Sequence, residues 1–386
     1  MPQHTRLTTK RSRKRSRKRS SKRSSKRSGK RYHTLLYNGG QGCIFKPYIK
    51  CKGSDGKIKR SRRTISKVMF KETSANREFS MNERIRKIPG HKKWSILWKL
   101  QCETPEYRDI SEISDIDKCI ARKQVDNTPR KTYPMLVGEY GGESLHEYGF
   151  DTFKLATFDS QTRFDAAILK VFRILENTFV GLHALRKHKI THGDITGRNI
   201  LVDGSHTFII DFGLSYQFTN VEYVQNHLKF LFQGTDRIYE AYPYEYILYH
   251  GHIDTKGMAS ELNDLKKGIH RESYEEYLKT HGDILGKGYG KLTTHIRNLM
   301  KLDITPKLSS IIQSLDTYSV GMLLPTLIHN VCQTLDIPIE TVSSLCRDSV
   351  YPEIFELLRD MTSYASIDRV SPDTALKRYH AILKTS

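Results

Sequence analysis

The stretch from His192 to Gly213 constrains this chain more than any other. "HGDITGRN" (His192 to Asn199) is followed, twelve residues after its Asn, by "DFG" (Asp211 to Gly213), with apolar Phe208, Ile209 and Ile210 leading in. An Asp, an Asn five residues on and a second Asp at the end of a strand-like run supply three hard oxygen groups from two chain turns. Any one alone reads as an ordinary turn residue. As a set they require a fold that sets a loop beside a strand end.

Transfer of a phosphoryl group from a nucleotide needs metal ligands, a carboxylate that orients the nucleophile, and cationic or backbone cover for the phosphates. Asp194 suits the second role, accepting or orienting the attacking hydroxyl. Asn199 and Asp211 suit the first, as ligands of Mg2+.

Length and charge bound the rest. The 386 residues can bury a sizeable core, as one two-lobed unit or two domains. Of the net charge of +22, residues 1–31 carry 15 Lys or Arg and no acid, so 22 less 15 leaves +7 for everything else. That tail repeats Lys/Arg with Ser and is expected to be disordered. Three readings of it stay open: a solubilising, non-specific polyanion binder, a nuclear-targeting signal, or a nucleic-acid arm acting by counterion release. Seven serines between Ser12 and Ser28 offer sites where phosphate would cancel charge. No secretory signal or membrane-spanning apolar run is visible, so an intracellular protein with no membrane partner is expected. The six cysteines show no zinc spacing and are expected to be reduced, structural thiols.

Along the chain, "LLYNGGQGCIFKPYIKC" reads as two strands around a Gly turn, and "RTISKVMF" as a third. A helix is expected from Ala75 to Ile88, with Met81, Ile85 and Ile88 on one face. "WSILWKLQ" and "YPMLVGEY" read as strands flanking an acidic, irregular insertion from Glu103 to Pro129. One long amphipathic helix is expected from Phe164 to Leu185. A small β-rich half followed by a helical half gives an α+β fold with a cleft between two lobes.

These residues resemble the protein kinase superfamily over roughly residues 35–375. The resemblance implies a bilobal fold: a disordered tail (1–31), an N-lobe (32–138) and a C-lobe (139–386) carrying an insertion at about 250–315. It implies ATP and Mg2+ as cofactors, with Mn2+ an alternative, and protein substrates. "NGGQGCIF" resembles the Gly-rich loop, with Gly39, Gly40 and Gly42 over the phosphates and Ile44 over adenine. Lys67 in the third strand is the candidate phosphate lysine, and Lys46 a decoy. Glu78 rather than Glu83 is its expected partner, because Glu78 shares the face of Met81 and Ile85. Leu136 or Val137 resembles the gatekeeper, and Glu139 and Tyr140 the adenine-binding hinge. "YPYEYI", "DTYSVGMLL" and "DRVSPDTAL" supply three architectural residues, Glu245, Asp316 and Arg369, with a Glu245–Arg369 pair expected.

A narrower resemblance, carried by "YNGGQGCIFKP", "ISK" and "GGESL", is to serine/threonine-protein kinases assigned in large nucleocytoplasmic DNA viruses. It implies Ser/Thr phosphorylation during infection, in the host cytoplasm or the virion, with the nucleus open through the basic tail. Four features depart from the superfamily pattern. Tyr37 replaces the first glycine of the loop. Gly193 replaces the Arg that receives an activation-loop phosphate, which implies no need for that phosphorylation. Thr196 replaces a phosphate-contacting Lys, for which Arg198 would substitute. Finally, 71 positions separate Glu245 from Asp316, read either as a surface insertion or as part of a substrate groove. The H-G-D form also resembles small-molecule phosphotransferases and a kinase-like ATPase. A nucleic-acid-associated scaffold using the tail is the third alternative.

Overall fold

The computed structural model describes residues 33–53, 63–113, 115–121, 131–155, 158–219, 279–287 and 308–386. The basic tail, Glu245 and most of the 250–315 insertion lie outside these residues.

Strand alternation builds the N-terminal sheet and aims its site residues. β1 (Thr34–Asn38), β2 (Gly42–Lys46), β3 (Thr64–Met69), β4 (Leu100–Glu103) and β5 (Pro134–Glu139) form an antiparallel sheet in the order β1-β2-β3-β5-β4. Successive side chains point to opposite faces. Lys67 lies opposite both Ile44 on β2 and Leu136 on β5, so these three share one sheet face, the face from which Lys67 reaches Asp211. Val137 points the other way, into a core of Cys43, Phe45, Val68 and Met135. Of the two gatekeeper candidates, Leu136 therefore shares the face of Lys67, where it is buried with Met69 and Ala75.

Helix α1 (Glu72–Arg86) buries Ala75, Glu78, Met81, Asn82 and Ile85, spaced at three and four residues along one stripe. Glu83 is half-exposed and pairs with Arg86 on its own helix.

The stretch expected as the strand "WSILWKLQ" is extended only from Leu100. Its earlier backbone groups are engaged elsewhere. Asn82 Oδ1 accepts from Trp98 N at 2.8 Å, Arg86 donates to the Trp98 carbonyl at 2.6 Å, and Ile209 N donates to the Trp94 carbonyl at 2.8 Å. The acidic insertion before β5 contains two short helices, α2 (Tyr107–Ile110) and α3 (Ile116–Ala121).

The expectation of reduced thiols fails for four of the six cysteines. Cys43 on β2 is bonded to Cys119 on α3, and Cys51 to Cys102 on β4. The sulfurs meet because the insertion folds back over the outer sheet face, a juxtaposition that sequence spacing does not reveal. Cys332 and Cys346 are buried free thiols.

In the second lobe, β6 (Glu143–Ser144) leads into α4 (Leu145–Leu155), and the expected long helix is two, α5 (Gln161–Ile174) and α6 (Glu176–Lys187). The break at Leu175 follows from a side chain far along the chain: Thr207 donates its hydroxyl to the Ile174 carbonyl at 3.0 Å. Strands β7 (Ile190–Thr191), β8 (Ile200–Asp203), β9 (His206–Ile209) and β10 (Tyr216–Gln217) frame the two motif loops. Behind them lie α7 (Leu308–Leu335), α8 (Ile339–Arg347), α9 (Pro352–Met361) and α10 (Pro372–Thr385). Among the described residues, no helix is long and apolar enough to cross a membrane.

Residues 279–287 correct the reading of the insertion as surface chain alone. Ile284 and Leu285 join the core of the second lobe. Arg359 donates to the Leu285 carbonyl at 2.8 Å and Lys287 to the Thr362 carbonyl at 2.7 Å. Burial, reinforced by the charges of Arg369 and Arg359, pushes the Lys287 ammonium down to about 7. Leu285→Ala is expected to cost ~2–5 kcal/mol in denaturant unfolding. A cost below ~0.5 kcal/mol, the range of ordinary surface changes, would show that this segment does not belong to the core. Deleting the whole insertion would remove this packing as well, so such a deletion cannot isolate a substrate groove.

Candidate active site

Lys67 is buried at the middle of β3, and only paired cations are stable at such positions. Its Nζ donates to Glu78 Oε2 at 2.9 Å and to both Asp211 oxygens at 3.0 and 3.1 Å. Three sequence-predicted residues, far apart in the chain, thus meet in one cluster. Burial opposes the charge on Lys67, but Asp211 and Glu78 outweigh it and hold the ammonium above lysine's ordinary pKa. Burial would likewise raise Asp211, yet Lys67 holds it below the usual carboxylate range. Glu78, wholly buried, is pushed up by desolvation against the pull of Lys67. Lys46 stands elsewhere, its ammonium 3.5 Å from the centre of the Tyr140 ring.

Asp211 adopts a left-handed conformation (φ 59°), a strained choice for a non-glycine that surrounding contacts must enforce. The next residue, Phe212, is buried in a cluster with Met81 and Ile85 of α1 and Ile88 just past its end, and its ring centre lies 4.8 Å from that of His192. Ile210 N donates to the Asn199 carbonyl at 3.0 Å, which ties the two motifs together.

On the preceding loop, Asn199 Nδ2 donates to the Asp194 carbonyl at 2.9 Å and to Asp194 Oδ2 at 2.8 Å. Both amide hydrogens point at Asp194, which leaves Asn199 Oδ1, an acceptor, for a cation. The loop is anchored from beneath by buried Asp316 on α7, which accepts from His192 N at 2.6 Å and Gly193 N at 3.0 Å. Gly193 has φ 78°, a left-handed conformation that glycine adopts without a side-chain penalty. The Gly of H-G-D therefore has a conformational reason. Arg198 is exposed at the rim, where its charge adds to burial in lowering the His146 pKa.

His192, which the motif reading does not single out, is a positioning group. Its Nε2–H donates to the Ile210 carbonyl at 3.0 Å, while Nδ1 accepts from Asp194 N at 3.2 Å. Both nitrogens are used only by the neutral ring, and burial holds the pKa below histidine's ordinary value against the partial pull of Asp316. As pH falls, the unfolded chain takes up this proton first, at about 6.5. The contribution to stability is thus full above that value and lost below it. The unfolding midpoint should drop as pH goes from about 7 to about 5.5, and His192→Gln should flatten that slope. An unchanged slope in the variant would remove His192 from this role.

At the Gly-rich turn, Gly39 N donates to the Gly42 carbonyl at 3.0 Å and closes the loop. A Cβ at Gly42 would stand 2.3 Å from the Val68 carbonyl oxygen, so only glycine lets β2 approach β3 there. The ring of Tyr37, at the position of the missing first glycine, lies against Gly39. At the end of β5, the Glu139 side chain pairs with Lys99, and Tyr140 N donates to the Arg63 carbonyl at 2.6 Å. Trp98 was also missed: its Nε1 donates to Glu78 Oε1 at 2.5 Å, giving the glutamate a second partner. Arg369 is buried, with Nε donating to the Ser363 carbonyl at 2.9 Å and its guanidinium over the Tyr318 ring. Its expected partner Glu245 lies outside the described residues.

Residues 144–233, which carry both motif loops, match the family of protein tyrosine and serine/threonine kinases. The match supports the protein kinase superfamily. It supports a kinase domain acting on proteins, without separating tyrosine from serine/threonine substrates. Lys67 and Glu78, singled out by the sequence resemblance, lie outside the matched segment. Their assignment rests on the geometry above.

Proposed function

We propose that this chain is an ATP-dependent protein kinase that transfers the γ-phosphoryl group to Ser or Thr hydroxyls. The observation that carries the proposal is the convergence of Lys67, Glu78 and Asp211, with Asn199 and Asp194 on the adjoining loop. Mg2+ fits the donor set, because Asp211 offers a carboxylate whose side chain is 35% exposed and Asn199 an amide oxygen, its Nδ2 being turned to Asp194. When bound, the metal would neutralise phosphate charge. Lys67, oriented by Glu78, supplies fixed positive charge toward the phosphates. Asp194, aligned through Oδ2 by Asn199, accepts or orients the substrate hydroxyl. The chemistry is positioning and electrostatics, with little for the protein to do covalently.

The choice of Ser/Thr, and of a viral setting in host cytoplasm or virion, rests on the resemblance of the Gly-rich loop and "GGESL" segment. Two disulfides suit an oxidising environment, such as a released particle, better than a reducing cytosol. The basic tail is proposed to bind polyanions or nucleic acid, or to direct nuclear entry.

The test is incubation of the full chain and its Asp194→Ala variant with γ-labelled ATP and Mg2+, against basic proteins, acidic proteins and small hydroxyl compounds. Asp194-dependent label on Ser or Thr is the expected result, read by phosphoamino-acid analysis. Label on Tyr would overturn the residue choice. Label on small compounds alone, or hydrolysis alone, would move the function to the small-molecule phosphotransferases or ATPases. No turnover at all, with tail-dependent nucleic-acid binding, would favour the scaffold.

A further inference from the structure

Gln41 sits at the tip of the Gly-rich loop, between Gly40 and Gly42. Its main-chain carbonyl accepts from Phe70 N at 3.1 Å, which pins the tip over the end of β3. The side chain turns inward. Its Oε1 is buried and has no hydrogen-bond donor among the described residues. The location is defined by Gly213: a Cβ built there would lie 3.1 Å from Gln41 Oε1, 3.2 Å from Asp211 Oδ1 and 3.4 Å from Glu78 Oε2. Three oxygens from three separate elements therefore lie within 3.4 Å of one point beside the Lys67 cluster.

An acceptor buried without a donor carries a desolvation cost. One that faces two carboxylate oxygens attracts positive charge. Lys67 Nζ is already committed to Glu78 and Asp211. A cation arriving at Asp211 would relieve the cost, so the orphaned carbonyl favours the cation-bound state by differential interaction. An amide oxygen is a hard donor of the kind Mg2+ accepts.

We propose that Gln41 is a further metal-nucleotide-binding residue, whose Oε1 completes the oxygen shell of the nucleotide-bound Mg2+ beside Asp211, directly or through one metal-bound water. The inference rests on the kinase reading above. It adds a side-chain ligand from the roof of the cleft to those supplied by the two motif loops.

The test is equilibrium binding of a fluorescent ATP analogue to the full chain carrying Asp194→Ala, so that turnover does not interfere. Affinity is measured with and without Mg2+, and again with Mn2+. Gln41→Met keeps the side-chain length and removes the amide. It should bind the metal-free nucleotide within about twofold of the parent and lose about five- to tenfold of the metal-dependent gain, as for one hydrogen-bonded ligand. Gln41→Glu, which keeps an oxygen at the same place, should retain the metal-dependent gain while weakening metal-free binding by charge repulsion. An undiminished metal-dependent gain in Gln41→Met overturns the proposal. So does an equal loss with and without metal, the outcome if the amide instead donates Nε2 to the carboxylates and only fastens the loop. If the parent itself binds no nucleotide, the kinase reading falls and takes this inference with it. A parent that binds normally beside an indifferent Gln41→Met leaves the kinase reading standing.

Discussion

Asp211→Asn is expected to lower phosphoryl transfer at least ~100- to 1,000-fold, the scale on which a single preorganised electrostatic group acts, while the fold survives. Lys67 sits between two carboxylates and needs only one partner to remain a satisfied buried cation. With Asp211 neutral, Lys67 keeps Glu78 at 2.9 Å, and Glu78 keeps Trp98. The unfolding midpoint should therefore move little. Lys67→Met should behave differently. It removes the cation from a wholly buried glutamate and a nearby aspartate, and breaking a buried pair costs ~3–5 kcal/mol. Protonation moderates that loss, because burial already raises Glu78 and a neutral carboxyl can still accept from Trp98 Nε1. The two variants should thus be matched in lost turnover and separated in stability. The measurement is steady-state kinetics beside calorimetric unfolding for both. Asp211→Asn turnover within tenfold of wild type would mean that the metal ligand is wrongly assigned. Equal stability of the two variants would mean that the buried cluster is not charged as drawn.

The legible part of this site is the part written in local chemistry. Asp194, Asn199 and Asp211 are close in sequence, and their oxygen chemistry is visible without a fold. Glu78 was separated from Glu83 by helical phase alone, and the structure puts the first inside and the second on an intrahelical pair. Other features depend on contacts between distant segments. The break at Leu175 comes from Thr207, and the orientation of Glu78 comes partly from Trp98. The anchoring of Gly193 comes from Asp316, more than a hundred residues away. Gly193 shows both sides of this. Its presence was obvious, but its reason, a left-handed turn that donates to a buried carboxylate, needed coordinates. The cysteines failed for a different reason. Compartment statistics and zinc spacing argue about chains in general, whereas the insertion before β5 folds Cys119 onto Cys43 in this one.

Those disulfides carry the second large effect. Cys43–Cys119 closes a separation of 76 residues and Cys51–Cys102 one of 51. On a chain-entropy reading, each cross-link of that length stabilises by ~4 kcal/mol. Both lie in the first lobe, where a five-stranded sheet buries its outer face against the cross-linked segment. The second lobe has only free thiols, and burial pushes Cys332 up to about 12, far from a reactive thiolate. Reduction should therefore act on the first lobe. Thiol titration of the unreduced, denatured chain should find two reactive groups out of six. Adding a dithiol reductant should lower the unfolding midpoint, and Cys51→Ala/Cys102→Ala should reproduce part of that loss without reductant. Nucleotide affinity should fall as well, more for Cys43→Ala/Cys119→Ala than for the other pair, because Cys43 directly follows Gly42 of the Gly-rich loop. Six titratable thiols and a midpoint indifferent to reductant would show that the lobe is held by packing alone. The sheet's outer core, from Phe45 to Tyr133, would then have to retain the insertion without covalent help.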